Sequence, residues 1–221
     1  MTVHLRPTAP IAPDALLPGD PGRALTLAQD LLVAPKMSNH HRGLWGYYGE
    51  TKADGRPLTI QATGIGGPSA AIVLTELAEL GLERAIRVGT CGALSAELRL
   101  GTLAVVVDAI AGDGTSRVLG AAETSEPGHG LLAALRDAAP EASEIRVATT
   151  DLFYGPPDGW DGAVAWEMEA APLFALGRTL DVEVGCILTV VTNSDGKRIN
   201  EGRLAEAELE MGRAASRALA T

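Results

Sequence analysis

Residues 57–94, PLTIQATGIGGPSAAIVLTELAELGLERAIRVGTCGAL, constrain the fold more than any other stretch of the chain. Residues 58–63 are rich in β-branched side chains, and Gly64-Ile65-Gly66-Gly67-Pro68-Ser69 interrupts them. Over 70–81, Ile72, Val73, Leu77 and Leu80 recur at helical spacing and Gly81 is a natural stop. Residues 85–88 read as a second strand, with Gly89-Thr90-Cys91-Gly92 as a turn at its end. Two strands joined by a helix of this length predict a right-handed βαβ unit with a parallel pair. Ligands of such sheets collect at the carboxyl ends of the strands. Both glycine turns lie there, and so does Arg87.

The rest of the chain fits one α/β domain over residues 1–221, long enough to bury about 70% of its unfolded surface. Aromatic residues are only 4%, so Ala, Leu and Val must fill most of the core. A net charge of −10 argues against nucleic-acid or anionic-membrane partners, but not against a small anion held by local arginines. Two cysteines, Cys91 and Cys186, make no disulfide framework and fit a reducing compartment. No apolar run reaches the ~18 residues of a membrane span, and the first residues hold no apolar signal core. A cytoplasmic protein is the expectation.

Residues 1–13 carry three prolines and read as a surface arm. A short strand over 14–18 leads to Gly19-Asp20-Pro21-Gly22-Arg23, where Asp20 suits an N-cap and Pro21 the first helical position. The helix should run to about Leu32. Residues 37–50 read as a polar, aromatic loop, with a strand over 47–51. His40-His41 has no Cys, Asp or Glu at ligand spacing, so no metal is expected there. Further strands are predicted over 102–110, 145–149 and 184–191, and helices over 131–139, through Leu180 (with Pro172 in the first turn), and over 200–219. Residues 111–129 read as a long loop or insertion, and the last helix as a solvated cover of the sheet.

Several polar groups fall at strand ends, and each has two readings. Gly19, a helix N-terminus and Arg23 together suit an anion, or they form a capped turn beside a solvated arginine. Arg87 sits in a strand that wants burial, and a buried guanidinium needs a partner. That partner is an acidic residue such as Glu169, or a phosphate gripped by forked hydrogen bonds. Thr90 adds a hydroxyl beside backbone N–H groups. Glu167 and Glu169 suit the hydroxyls of a sugar diol, or helix capping. Phe153, in a proline-flanked loop, is a wall for a flat ligand or a plug at the core edge. Asp195 is a general acid if burial raises its pKa, or a turn residue with Gly196. A dinucleotide site fits less well, because Gly64-x-Gly66 lacks its third glycine.

In order, Gly19-Asp20-Pro21-x-Arg23, Arg42-Gly43-x-x-Gly46, Gly64-x-Gly66-x-Pro68-Ser69, Arg87-Val88-Gly89-Thr90-Cys91-Gly92, Glu167-Met168-Glu169-Ala170-Ala171 and Ser194-Asp195 closely resemble the nucleoside phosphorylase-I family. That family includes purine nucleoside phosphorylases, uridine phosphorylases and methylthioadenosine nucleosidases. The resemblance implies a three-layer α/β/α fold with a central mixed, mostly parallel twisted sheet. It implies phosphate held by Gly19, Arg23, Arg87 and Thr90, with Arg42 reaching in from a neighbouring subunit of a homo-oligomer; the purine enzymes are trimeric or hexameric, and a homohexamer is the expectation here. Met168 and Glu169 would hold the ribose above a floor at Ile65, and a neighbour's His4 would approach the 5′-hydroxyl. Phe153 and Trp166 would contact the base, and Asp195, beside Ser194, would protonate its N7. No metal or organic cofactor is implied; phosphate is the co-substrate. The arginine set implies a phosphorylase rather than a nucleosidase. The loop Gly155-Pro156-Pro157-Asp158-Gly159-Trp160 lacks the Gln-x-Arg pair of uridine phosphorylases, which favours purines. Trp166 replaces a small aliphatic residue, Pro172 is unusual, and the segments after Tyr154 and Asp195 are shortened. The arginine that assists the acid is then Arg198 or Arg203.

Overall fold

The structure, a computed structural model, describes residues 2–154 and 159–221. The described residues form a single ten-stranded mixed sheet between two layers of helices. The strands are β1 (Asp14–Leu17), β2 (Leu32–Asn39), β3 (Gly46–Thr51), β4 (Pro57–Gln61), β5 (Arg84–Ala93), β6 (Leu103–Ala111), β7 (Thr124–Ser125), β8 (Ser143–Thr149), β9 (Ala165–Glu167) and β10 (Glu183–Thr192). The helices are α1 (Pro21–Leu31), α2 (Gly67–Glu79), α3 (Gly114–Val118), α4 (His129–Ala138), α5 (Ala170–Leu180) and α6 (Glu201–Ala218).

The order β10-β6-β8-β9-β5-β1-β4-β3-β2 carries an extra β10–β5 pairing, so five strands close on themselves beside an open wing. The parallel pairings are β1–β4, β1–β5, β5–β10, β6–β8 and β8–β9. Side chains alternate across each strand, as the period of two demands. Ala15, Leu17 and Ala85 join one apolar cluster with α2 and α5, while Leu16, Ile86 and Val88 join another with α1, α4 and α6. These are the two faces of a three-layer domain. No helix among the described residues is long and apolar enough to cross a membrane.

Six expectations change. β4 and β5 are parallel but not neighbours, because β1 lies between them, with Leu16 opposite both Ile60 and Ile86. Gly89-Thr90-Cys91-Gly92 is not a turn: β5 continues through it for ten residues. Part of the expected loop is strand β2, an edge strand with an exposed middle, a proline and a register shift, which leaves no alternating pattern to read. Residues 111–129 contain α3 and β7. The N-terminal arm is also partly built in, with Leu5 and Ala12 buried. Helix α6 does more than cover the sheet, since Met211, Ala214, Ala215 and Ala218 enter the core.

Candidate active site

The anion corner starts at the end of β1. Asp20 caps α1 by accepting from the backbone N–H groups of Gly22 (3.0 Å) and Arg23 (3.2 Å). Pro21 takes the first helical position, where a missing N–H costs nothing. This turn abuts the first glycine turn of α2: the Gly64 N–H donates to the Gly19 carbonyl at 3.1 Å. A Cβ at Gly19 would lie 3.2 Å from the Gly64 oxygen, so glycine permits the approach.

Arg23 is not a solvated arginine. Only 9% of it is exposed, its Nε donates to Glu208 on α6 at 2.8 Å, and its Nη1 reaches the Val88 carbonyl at 3.5 Å. Arg87, 3% exposed, meets two carboxylates. Its Nε and Nη2 donate to Glu167 at 3.0 and 2.9 Å, and Nη2 to Glu169 at 2.5 Å. Burial alone would depress the guanidinium pKa, but Glu169 and Glu167 outweigh it and raise the pKa, holding Arg87 charged.

The two glutamates have separate assignments. Glu167 also accepts from the Thr149 hydroxyl (2.5 Å) and from the N–H groups of Glu169 (2.8 Å) and Ala170 (2.9 and 3.0 Å). It therefore closes the N-terminus of α5 and aims Arg87, with no oxygen left over for a sugar. Glu169 has a lighter load: Arg87 on Oε2, and the Gly66 N–H on Oε1 at 2.5 Å. Burial pushes its pKa up, Arg87 opposes this, and Glu167 adds to the rise. Of the two, Glu169 is the carboxylate able to exchange a partner for a ligand.

These groups open on one cavity of about 540 Å³. The β1–α1 turn contributes Gly19, Asp20, Pro21 and Arg23; the β4–α2 turn contributes Gly64 and the 79%-exposed Ile65. From β5 come Arg87, Gly89, Thr90, Cys91 and Gly92, and from the start of α5 and β9 come Trp166, Glu167, Met168 and Glu169. Phe153, Val191, Thr192 and Arg198 complete the wall. Arg87 and Gly92 are five positions apart on β5, about 16 Å of extended chain. Near Gly92 the wall turns aromatic: Phe153 and Trp166 meet edge to face, centroids 5.4 Å apart. The two β5 glycines make room for side chains. A Cβ at Gly89 would lie 2.8 Å from the Arg87 guanidinium carbon, and one at Gly92 would lie 2.4 Å from Trp166 Nε1.

Other expected site residues stand outside this cavity. Ser194 and Asp195 are exposed in the turn after β10, where Asn193 Nδ2 donates to Asp195 at 3.4 Å. The chain then folds back, with Asn193 N to the Lys197 carbonyl at 3.0 Å and a Thr192–Arg198 bridge, which returns Arg198 to the cavity wall. Arg203 instead pairs with Glu206 and Glu210 on α6. His4 is held on α2, its Nδ1 2.8 Å from Glu76. Arg42 is exposed in a 3-10 turn with φ 58°. Residues 155–158 of the loop read against uridine phosphorylases lie outside the described residues. Glu208, the partner of Arg23, is a further participant whose distance in sequence left no local signal.

The phosphorylase superfamily model matches residues 13–221. A guanosine phosphorylase of Halorubrum lacusprofundi is 38% identical over 192 residues, covering 81% of this chain and 78% of the relative. A DeoD-type purine nucleoside phosphorylase of Caldanaerobacter subterraneus is 33% identical over 220 residues, 93% of each chain. A uridine phosphorylase of Treponema pallidum is 34% identical over 201 residues, 80% of this chain and 76% of the relative. Matched over nearly its whole length, and carrying buried arginines, a partly free carboxylate and an aromatic wall around one cavity, the chain belongs to the phosphorylase superfamily and is a pentosyltransferase.

Proposed function

We propose that this protein cleaves purine nucleosides by phosphorolysis, releasing the free base and (deoxy)ribose 1-phosphate. The observation that carries the reading is that two buried guanidinium groups, Arg23 and Arg87, share a cavity with Glu169 and the Phe153–Trp166 pair. A hydrolase, which needs only water as nucleophile, has no use for two buried cations beside the sugar site.

Arg23, Arg87, the Thr90 hydroxyl and the Gly19 turn hold phosphate, joined by Arg42 of a neighbouring copy. Glu169 and Met168 hold the ribose, with Ile65 beneath it and a neighbour's His4 at the 5′-hydroxyl. Phe153 and Trp166 flank the base. A phosphate oxygen bonds to C1′ as the C1′–N9 bond breaks. The arginines lower the entropic and electrostatic cost of placing that nucleophile. The hairpin carrying Ser194 and Asp195 folds in, and Asp195 donates its proton to N7, which makes the base a better leaving group. Phosphate is the co-substrate, and the chemistry needs neither metal nor organic cofactor. The working form is a homohexamer in the cytoplasm.

The relatives named for guanosine and purine nucleosides support the base class, and the one named for uridine keeps a pyrimidine reading in the test. Inosine, guanosine, adenosine and uridine are each assayed for base release with phosphate. The purine nucleosides should turn over at least tenfold faster than uridine. Faster release of uracil than of any purine would overturn the base assignment.

A further inference from the structure

Arg23 reaches out of α1 to a carboxylate on α6 that the chemistry proposed above does not use. Its Nε donates to Glu208 at 2.8 Å, and the two side chains are 9% and 15% exposed. Its Nη1 makes only a long contact, 3.5 Å, with the Val88 carbonyl, and no hydrogen bond among the described residues engages Nη2. Arg23 lines the cavity, and Glu208 is not among the residues that line it. The Nε side of the guanidinium is thus given to α6. The end edge, Nη1 with Nη2, keeps its donors for a cavity ligand.

A seam between α1 and α6 fixes that carboxylate. Arg23 and Leu27 are four residues apart on α1, as Glu208 and Gly212 are on α6, and residues four apart share a helix face. A Cβ at Gly212 would collide with Leu27 Cδ2, so the missing side chain lets the two helices touch there. Further along, Arg213 grips Asp30 through Nε at 2.9 Å and Nη2 at 2.7 Å. Met211, Ala214 and Ala215, on the same stretch of α6, are buried in the core. Glu208 therefore has a set place, and from it sets the place of Arg23.

A guanidinium offers two forked edges, Nε with Nη2 and Nη1 with Nη2, and either can grip an oxyanion with paired hydrogen bonds. A carboxylate that competed with phosphate for Arg23 would stand on the end edge, on the cavity side. Glu208 stands on Nε instead. We infer that Glu208 is a positioning residue, which by holding Nε aims the end edge of Arg23 at phosphate. The inference rests on the proposed function, because it takes Arg23 as part of the phosphate site. The carboxylate also repels the phosphate that it helps to seat. Reach and charge therefore act in opposite directions, and substitution can separate them.

The test measures calorimetric binding of inorganic phosphate, and the KM for phosphate and for inosine, in the wild type, Glu208→Gln and Glu208→Asp. Glu208→Asp keeps the charge but is one methylene short, so Arg23 must follow it back toward α6 or lose it. Phosphate binding should weaken, and the phosphate KM rise, by about tenfold or more, as for other misplaced binding groups, with the inosine KM unchanged. Glu208→Gln keeps the reach, and its amide oxygen still accepts from Nε without the repulsion, so it should bind phosphate at least as tightly as the wild type. Asp30→Asn, which weakens the same seam without touching Arg23, should leave phosphate binding unchanged. Unchanged or tighter phosphate binding in Glu208→Asp would overturn the inference. So would a loss in Glu208→Gln as large as in Glu208→Asp, or an equal rise in both KM values. If phosphate binding followed the expected pattern while the wild type released base equally well without phosphate, the proposed function would fail and the role of Glu208 would stand.

Discussion

Glu76, on α2, fastens the N-terminal arm. Its carboxylate accepts from the N–H groups of Val3 (3.0 Å), His4 (2.9 and 3.0 Å) and Leu5 (2.6 Å), and meets His4 Nδ1 at 2.8 Å. Burial pushes the carboxyl pKa up, but the N–H groups of Leu5, His4 and Val3 and the His4 ring prevail and bring it from 4.5 down to about 2. A drop of that size corresponds to roughly 3 kcal/mol of stability at neutral pH. Because the folded pKa is the lower one, this stability is complete above pH 4.5 and is lost as the pH falls toward about 2. Glu76→Gln keeps the volume but carries no charge and only one accepting oxygen. At pH 7 the variant should be about 3 kcal/mol less stable, a melting point lower by about 6–12 °C for a chain of this size. Urea denaturation followed by tryptophan fluorescence, repeated from pH 7 to about pH 2.5, should show the two proteins converging at the acid end. Equal stability at pH 7, or a gap that persists in acid, would refute the account. The variant should also raise the KM for nucleoside, since the loosened arm carries His4.

Gly92→Ala puts a methyl group 2.4 Å from Trp166 Nε1, so the indole must leave its place beside Phe153. A loss of at least about tenfold in nucleoside kcat/KM is expected, with a shifted tryptophan emission, as for other misplaced binding groups. An unaltered emission spectrum would contradict it. Glu167→Gln removes a charge that faces buried Arg87 and should cost about 3–5 kcal/mol in urea denaturation. A cost below about 1 kcal/mol would mean that Glu169 alone neutralises Arg87. Burial pushes the Cys91 thiol up to about 12 and raises Cys186 well above the ordinary value. Both thiols should therefore resist iodoacetamide at pH 8 in the native protein and react in denaturant. Labelling of Cys91 in the native state would show that the cavity wall opens, and labelling of Cys186 that the core beneath it does.

Local chemistry was readable wherever one segment decided the outcome. The Asp20–Pro21 cap and the start of α1 depend on residues a few positions apart and form where the sequence predicts, while the helix expected over 70–81 begins earlier, at Gly67. Partners distant in the chain were not readable. Nothing near Arg23 points to Glu208, and nothing near residues 57–94 shows that β1 inserts between β4 and β5. The glycines of β5 look like turn residues, yet each clears space for a side chain, Gly89 for Arg87 and Gly92 for Trp166. Glu167 and Glu169 look alike in sequence. Only the junction of β9 and α5, set against Arg87, commits the first to capping and leaves the second a freer oxygen. Of the two readings of Arg87, the acidic partner is the one seen, Glu167 as well as Glu169, and phosphate there belongs to the proposal.

The central claim is that phosphate is the nucleophile. It is tested most directly by following inosine with and without inorganic phosphate, measuring hypoxanthine and sugar 1-phosphate together. The account predicts one sugar 1-phosphate for each base released, and no release above background once phosphate is removed. Equal rates of hypoxanthine release without phosphate, with free ribose as the product, would contradict it.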